Sequence, residues 1–283
     1  MVTINKSVRP FLKWAGGKRQ LTPEIIASHL PVKKITKSIT YYEPFIGGGA
    51  LLFALQPQNA VLNDSNAELI NCYQVIKDSV DELIEDLKRH ENEANYYYAV
   101  REWDRGKDYQ TKTKIERASR IIFLNKTCYN GLFRVNSSGQ FNVPFGRYKN
   151  PNILDIVVLK AVSQYLNEHQ VTISNQDFEE CVRDARKGDF IYFDPPYDPV
   201  SETASFTSYD VNRFNKEEQR RLKKIVDDLT RRECNVLLSN SYTDFIVDLY
   251  SDYKQTRISA TRAINSNASK RGKVEEILVK NYE

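Results

Sequence analysis

The apolar run Phe190-Ile191-Tyr192-Phe193 ends abruptly in Asp194-Pro195-Pro196-Tyr197. An acid, two prolines and an aromatic at the end of a strand suit one kind of chemistry. The prolines stiffen the turn and donate no backbone hydrogen bonds, which leaves the Pro195 carbonyl to accept one. Asp194 adds a second acceptor beside it, and Tyr197 a flat ring. Two acceptors next to a stacking face form a receptor for a planar base that carries an exocyclic amino group.

A second segment with chemical content is Phe45-Ile46-Gly47-Gly48-Gly49. A glycine-rich turn between a strand and a helix lets the backbone approach a ligand closely. Asp64, at the end of the next strand, would accept hydrogen bonds from ribose hydroxyls, so the pair suits a nucleoside. A dinucleotide fingerprint would need a third glycine where Leu52 stands. Gly16-Gly17-Lys18 invites a phosphate-loop reading, but Leu12 stands where the earlier glycine belongs and Arg19 where Ser or Thr belongs. An ATPase or kinase is therefore disfavoured. Cys72, Cys128, Cys181 and Cys234 form no C-x-x-C pair, and His29, His90 and His169 are scattered. Zinc ribbons, redox dithiols, zinc deaminases and metal catalysis are poor readings, and no metal is expected.

These residues need elements to hold them. Residues 40–46 read as a strand, 50–55 as a helix and 60–62 as a second strand. From Ser65 to Arg89 the apolar positions recur at helical spacing, which predicts one long helix. Strand patterns resume at 171–174, 189–193, 235–239 and 274–280, with a helix over Asn215–Arg232 before the third of these. The opening β-turn-α-β-α order is that of a doubly wound α/β sheet. Residues 92–150 are rich in aromatics and bases, and Gly and Pro punctuation predicts irregular structure near 128–150. The expected division is a catalytic domain of residues 1–64 and 166–283 with a mostly helical insertion, 65–165.

The 283 residues carry 41 Lys and Arg against 37 Asp and Glu, a formal net charge of only +4. That balance hides segregation. Residues 1–20 and 257–273 hold basic side chains and no acid, and residues 101–150 hold eleven bases against four acids. Basic stretches interleaved with Tyr, Asn, Ser and Gly suit a polyanion surface such as DNA or RNA. The N-terminus has no apolar core or cleavage site of a secretion signal, and the mean hydropathy is −0.56. A soluble, cytoplasmic protein with reduced thiols is expected, and no membrane partner.

Asp194-Pro195-Pro196-Tyr197 resembles the catalytic motif of amino-group DNA methyltransferases, and Phe45-x-Gly47-x-Gly49 their S-adenosylmethionine motif. The order of glycine motif, basic insertion and DPPY is the α-group arrangement. FLKWAGGK (11–18), EPFIGGG (43–49), YNGLFR (129–134), FNVPFGRYK (141–149) and FDPPY (193–197) look like the D12-class adenine methylases, and within them the Dam-type and Dpn-type enzymes that act on GATC. The resemblance covers nearly the whole chain. It implies a Rossmann-like class I methyltransferase sheet that uses S-adenosylmethionine. Trp14, Lys18, Phe45, Gly47, Gly49, Asp64 and Asp194 match the family's cofactor contacts, and Asp177 and Phe178 the place where the cofactor's adenine is held. Lys13, Tyr129, Asn130, Arg134, Pro144, Arg147 and Tyr148 match its DNA-reading region. The resemblance assigns chemistry to Asp194, Pro195, Pro196 and Tyr197.

The function so implied is methylation of adenine N6 in double-stranded DNA, at GATC, by base flipping and direct transfer, with no covalent enzyme intermediate. A monomer is favoured, and a companion restriction endonuclease is left open. Methylases of cytosine N4, RNA adenine or protein glutamine commonly carry Ser or Asn where Asp194 stands. A noncatalytic nucleotide-binding DNA regulator would share the glycine turn and basic patches but would not need the DPPY turn.

Overall fold

The computed structural model describes residues 4–14, 18–31, 38–200, 214–261 and 273–283. Gly16 and Gly17 of the amino-terminal motif, and Arg262, Lys270 and Arg271 of the third basic segment, lie outside the described residues. The strands are β1 Tyr41–Glu43, β2 Asn59–Asn63, β3 Gln170–Ser174, β4 Phe190–Phe193, β5 Asn235–Ser241, β6 Lys254–Thr261 and β7 Lys273–Lys280. They make a mostly parallel seven-stranded sheet. The chain divides into two compact units, one of Met1–Gly17, Gly47–Gln56 and Asn66–Asn175, the other of Lys18–Ile46, Pro57–Ser65 and Gln176–Glu283.

The second unit holds six of the strands in the order β2-β1-β4-β5-β7-β6. Phe190, Ile191, Tyr192 and Phe193 are all buried, the near-continuous apolar run that a central parallel strand needs. β1 is parallel to both β2 and β4, and β4 is parallel to β5. β7 runs antiparallel between β5 and β6, with Ser239 opposite Leu278 and Lys254 opposite Lys280. β6 carries only a weak polar alternation in sequence and was not foreseen. The helix Lys216–Arg231 starts where the Asn215 side chain accepts the Glu217 and Glu218 amides, and it buries Leu222, Ile225, Val226 and Leu229 against the core that holds Phe193, Val236 and Leu238. Strand order reverses between β1 and β4. The crevice outside their carboxyl ends is where a doubly wound sheet takes a ligand, and there Pro44-Phe45 and Asp194-Pro195 leave the sheet.

The first unit is mainly helical, with helices Ala50–Leu55, Ala67–Asp78, Val80–Leu87, Ala94–Arg101, Lys114–Thr127 and Ile156–Glu168. The long helix expected from Ser65 to Arg89 is two: Ser79 leaves helical geometry (φ −147, ψ 46) and starts the second. Lys114–Thr127 begins with a capping box between Thr113 and Glu116 and is buried along most of its second half. It packs, with Tyr97, Val100, Phe141 and Val143, into the unit's core. Residues 4–14 join this unit through side chains that copy backbone pairing. Gln56 holds both the N–H and the carbonyl of Asn5, and Asn125 holds both those of Lys13. Among the described residues no helix is long and apolar enough to cross a membrane.

Candidate active site and nucleic-acid face

In the second unit, Asp194 stands one residue beyond β4. Its Oδ1 accepts from Ser239 Oγ at 2.8 Å and meets Lys18 Nζ at 2.8 Å. Since the Ser239 hydroxyl spends its proton there, the Tyr192 hydroxyl, 3.1 Å away, donates to Ser239. Asp194 Oδ2 and the Pro195 carbonyl have no hydrogen-bond partner among the described residues. The next carbonyl, of Pro196, is taken by Gln219 Nε2 at 3.0 Å. Gln219 in turn accepts from Asn240 Nδ2, and Asn240 Oδ1 accepts the Asp198 amide. Gln219 and Asn240 are fully buried. The turn is thus clamped on both sides of two open acceptors.

Tyr197 donates its hydroxyl to Glu276 Oε2 at 2.8 Å. The Lys18 ammonium lies 4.4 Å from the Tyr197 ring centroid and 3.9 Å from Glu276. Burial, then the charges of Asp194 and Glu276, push the Tyr197 hydroxyl well above its ordinary pKa, so it stays a donor. Asp194 and Glu276 share the one ammonium of Lys18, and buried Glu43 at the end of β1 accepts from the Tyr41 hydroxyl.

Phe45 and Phe178 meet at 5.3 Å between ring centroids, and both pack on Phe214, an apolar wall for a purine. Asp177 is already occupied: it accepts the Glu179 amide as helix cap and pairs with Arg221. Asp64 is half-buried directly after β2. Its neighbour Asn63 donates to the carbonyls of Pro44 and Gln176 and accepts the Gln176 amide, tying three loops together.

In the first unit, Trp14 lies on the glycine turn. A Cβ at Gly47 would come within 2.9 Å of the indole, and at Gly49 within 2.8 Å of the Tyr73 hydroxyl, and both glycines have positive φ. Only glycine allows this approach. Tyr73 donates to the Gly47 carbonyl at 3.0 Å.

The seven expected DNA residues share the first unit, and several meet. Lys13 Nζ is 5.1 Å from the Tyr148 ring centroid, and the Tyr129 amide donates to the Pro144 carbonyl. Lys13, Tyr129, Arg134, Pro144 and Arg147 are exposed. Asn130 and Arg147 both adopt positive φ. The segment expected to be irregular carries two bridges, Cys128 with Phe145 and Val135 with Phe141. Arg134 is held by its neighbour across this hairpin: its Nε donates to Asn142 Oδ1 at 2.7 Å and its Nη2 to the Asn142 carbonyl at 3.1 Å. Sequence reasoning missed Ser239, Gln219, Asn240, Asn63 and Glu276. The only hint was the polar Ser239-Asn240-Ser241 closing an apolar strand.

A mostly parallel, doubly wound α/β sheet whose strand order reverses between β1 and β4 is consistent with a Rossmann-like methyltransferase fold. The chain belongs to the D12 class N6 adenine-specific DNA methyltransferases, whose family profile matches residues 14–264. It is 48% identical over 278 residues to the Type II methyltransferase M1.LlaDCHI of Lactococcus lactis subsp. cremoris, covering 98% of this chain and 96% of that one. It is 43% identical to the Type II methyltransferase M.MjaIII of Methanocaldococcus jannaschii, covering 97% and 99%. It is 36% identical to the DNA adenine methylase of Escherichia coli (strain K12), covering 96% and 95%. The protein is an adenine-specific DNA methyltransferase, and its substrate is DNA.

Proposed function

We propose that the chain transfers the methyl group of S-adenosylmethionine to N6 of adenine in duplex DNA, at GATC, with the target base turned out of the helix. The observation that carries the chemistry is the pair of open acceptors, Asp194 Oδ2 and the Pro195 carbonyl, in a turn whose Asp194 Oδ1, Pro196 carbonyl and Tyr197 hydroxyl are each held by other side chains. Those two atoms accept the two N6 hydrogens and draw the nitrogen lone pair out of conjugation with the ring. The carboxylate also stabilises the positive charge that grows on N6 as the new bond forms. Lys18 and Ser239 fix Asp194 Oδ1, so the Oδ2 direction is set before substrate arrives. Tyr197 offers its ring to the flipped base, with its hydroxyl anchored on Glu276.

The cofactor supplies an electrophilic methyl on a sulfonium. Trp14, Lys18, Phe45, Gly47, Gly49, Asp64 and Phe178 are its proposed holders. Asp64 would take the ribose hydroxyls and the Phe45–Phe178 wall the adenine. The exposed bases and aromatics of the first unit are the proposed DNA face, with Arg134 reading a guanine edge. GATC rests on the motifs YNGLFR and FNVPFGRYK. The Type II relatives favour an enzyme that protects DNA beside a restriction endonuclease, in the cytoplasm where that DNA lies. A monomer suffices, since one chain supplies every residue used. The test is transfer of labelled methyl to duplexes with and without GATC, followed by nucleoside analysis. N6-methyladenine confined to GATC supports the reading. Label in cytosine, or label independent of GATC, overturns it.

A further inference from the structure

Arg134 can read a base edge only if the hairpin that carries it holds one position. The hairpin is short. Val135 pairs with Phe141, the Asn142 amide donates to the Arg134 carbonyl at 3.0 Å, and the turn is closed by Asn136 Oδ1 accepting the Ser138 and Gln140 amides. Two strands of this length are marginal in water without outside support.

That support converges on one residue. The Phe141 amide donates to Asp104 Oδ2 at 2.7 Å, and its carbonyl accepts from Arg105 Nη2 at 2.9 Å. Both polar groups of a single backbone unit are thus taken by side chains from 37 and 36 residues away. The clamp is itself locked. Asp104 Oδ1 meets Arg105 Nη1 at 2.7 Å, and Oδ2 meets Arg120 Nη2 at 2.8 Å. Arg120 is 1% exposed and anchors to the Val100 and Arg101 carbonyls. Next in sequence to the clamped Phe141 is Asn142, which holds the Arg134 guanidinium.

A buried ionic group is poor value as a source of stability, since apolar side chains of similar volume commonly serve as well. It does specify one arrangement of what it holds. A base contact with two hydrogen bonds tolerates little displacement of the arginine. We propose that Asp104, with Arg105 and Arg120, is a positioning residue for DNA sequence discrimination: it fixes Phe141, and through Asn142 the Arg134 guanidinium. This rests on the reading of the hairpin as base-reading.

The experiment compares kcat/KM on a GATC duplex with that on duplexes changed at one base pair, for Asp104→Ala, Arg105→Ala, Arg134→Ala and the Asp104→Ala/Arg134→Ala pair. Amide exchange across residues 134–142 is followed in parallel. Asp104→Ala and Arg105→Ala should lower discrimination by roughly ten-fold or more at one base pair, the one that Arg134→Ala relaxes, and leave the others unchanged. The double variant should be no worse than Arg134→Ala. Exchange at Phe141 and Asn142 should rise.

Arg105→Ala leaves the Asp104–Arg120 pair in place, so it decides the matter if Asp104→Ala does not fold. An equal loss on every duplex, or unchanged exchange in the hairpin, overturns the proposal. If Arg134→Ala relaxes one base pair and neither clamp variant does, the clamp role is wrong and the base-reading role stands. If the clamp variants relax one base pair and Arg134→Ala none, the clamp stands and the base is read by another hairpin residue.

Discussion

Tyr197 separates two jobs that one side chain performs. Its ring is the proposed stacking face, and its hydroxyl is the donor that buried Glu276 receives at 2.8 Å. Tyr197→Phe keeps the ring and leaves a buried carboxylate one donor short, which costs about 1–3 kcal/mol of stability. Tyr197→Ala loses both. Single-turnover methylation should therefore fall further for Ala than for Phe, with the Phe variant's deficit showing mainly in its melting temperature. Equal rate losses would remove stacking from the account.

Asp64→Ala should weaken S-adenosylmethionine binding by roughly 1–3 kcal/mol, the worth of hydrogen bonds to a charged acceptor. An unchanged dissociation constant by calorimetry would take Asp64 out of the site. At this scale the acceptor side of the site was legible. An acid and two prolines closing an apolar run mark a stiff turn rich in acceptors, although the surroundings decide which stay open: Gln219 takes the Pro196 carbonyl. Their supports were not legible. Ser239, Gln219 and Glu276 reach the turn from strands and helices 45, 23 and 79 residues away along the chain. No local spacing records that.

Among the elements, the capped helix Lys114–Thr127 shows what burial does to titration. His90 stacks on Phe123 of this helix at 4.4 Å, with its ring nitrogens 3.0 Å from the Tyr96 hydroxyl and 2.9 Å from the Ser119 hydroxyl. Burial, then the charge of Arg89, lowers its pKa from 6.5 to about 4. The unfolded chain takes up a proton near pH 6.5, whereas the folded ring stays neutral until about pH 4. Stability should therefore fall as pH drops through that window, and it is fully present above it. Urea unfolding from pH 7 to 4 should show this slope, and His90→Gln should lose part of it. Parallel profiles would place the pH dependence elsewhere.

Helical and strand periodicity placed six of the seven strands and the helices Ala50–Leu55 and Lys216–Arg231 to within a few residues, but set no bounds for the helices between 94 and 168 and missed β6. It failed at Ser79, where one backbone residue breaks an uninterrupted apolar stripe. At 128–150 the expected irregular backbone is present, with two isolated bridges that no periodicity marks.

Across the whole molecule, a net charge of +4 conceals basic segments at 1–20, 101–150 and 257–273. Binding to DNA should lose affinity steeply with salt, about 100-fold or more between roughly 50 and 200 mM, as phosphate contacts displace counterions. A nearly flat dependence, measured by fluorescence anisotropy, would show that these segments do not meet the backbone.

The central claim is that Asp194 Oδ2 accepts the amine that is methylated. Asp194→Asn keeps the shape but turns an –NH2 group, or an uncharged carbonyl, toward N6. The measurement is single-turnover methyl transfer from S-adenosylmethionine to a GATC duplex, with DNA binding followed without cofactor. The account predicts a fall in rate on the order of 10²-fold or more, as when one preorganised electrostatic contact is removed, while DNA affinity is unchanged. A near-normal rate for Asp194→Asn would contradict it.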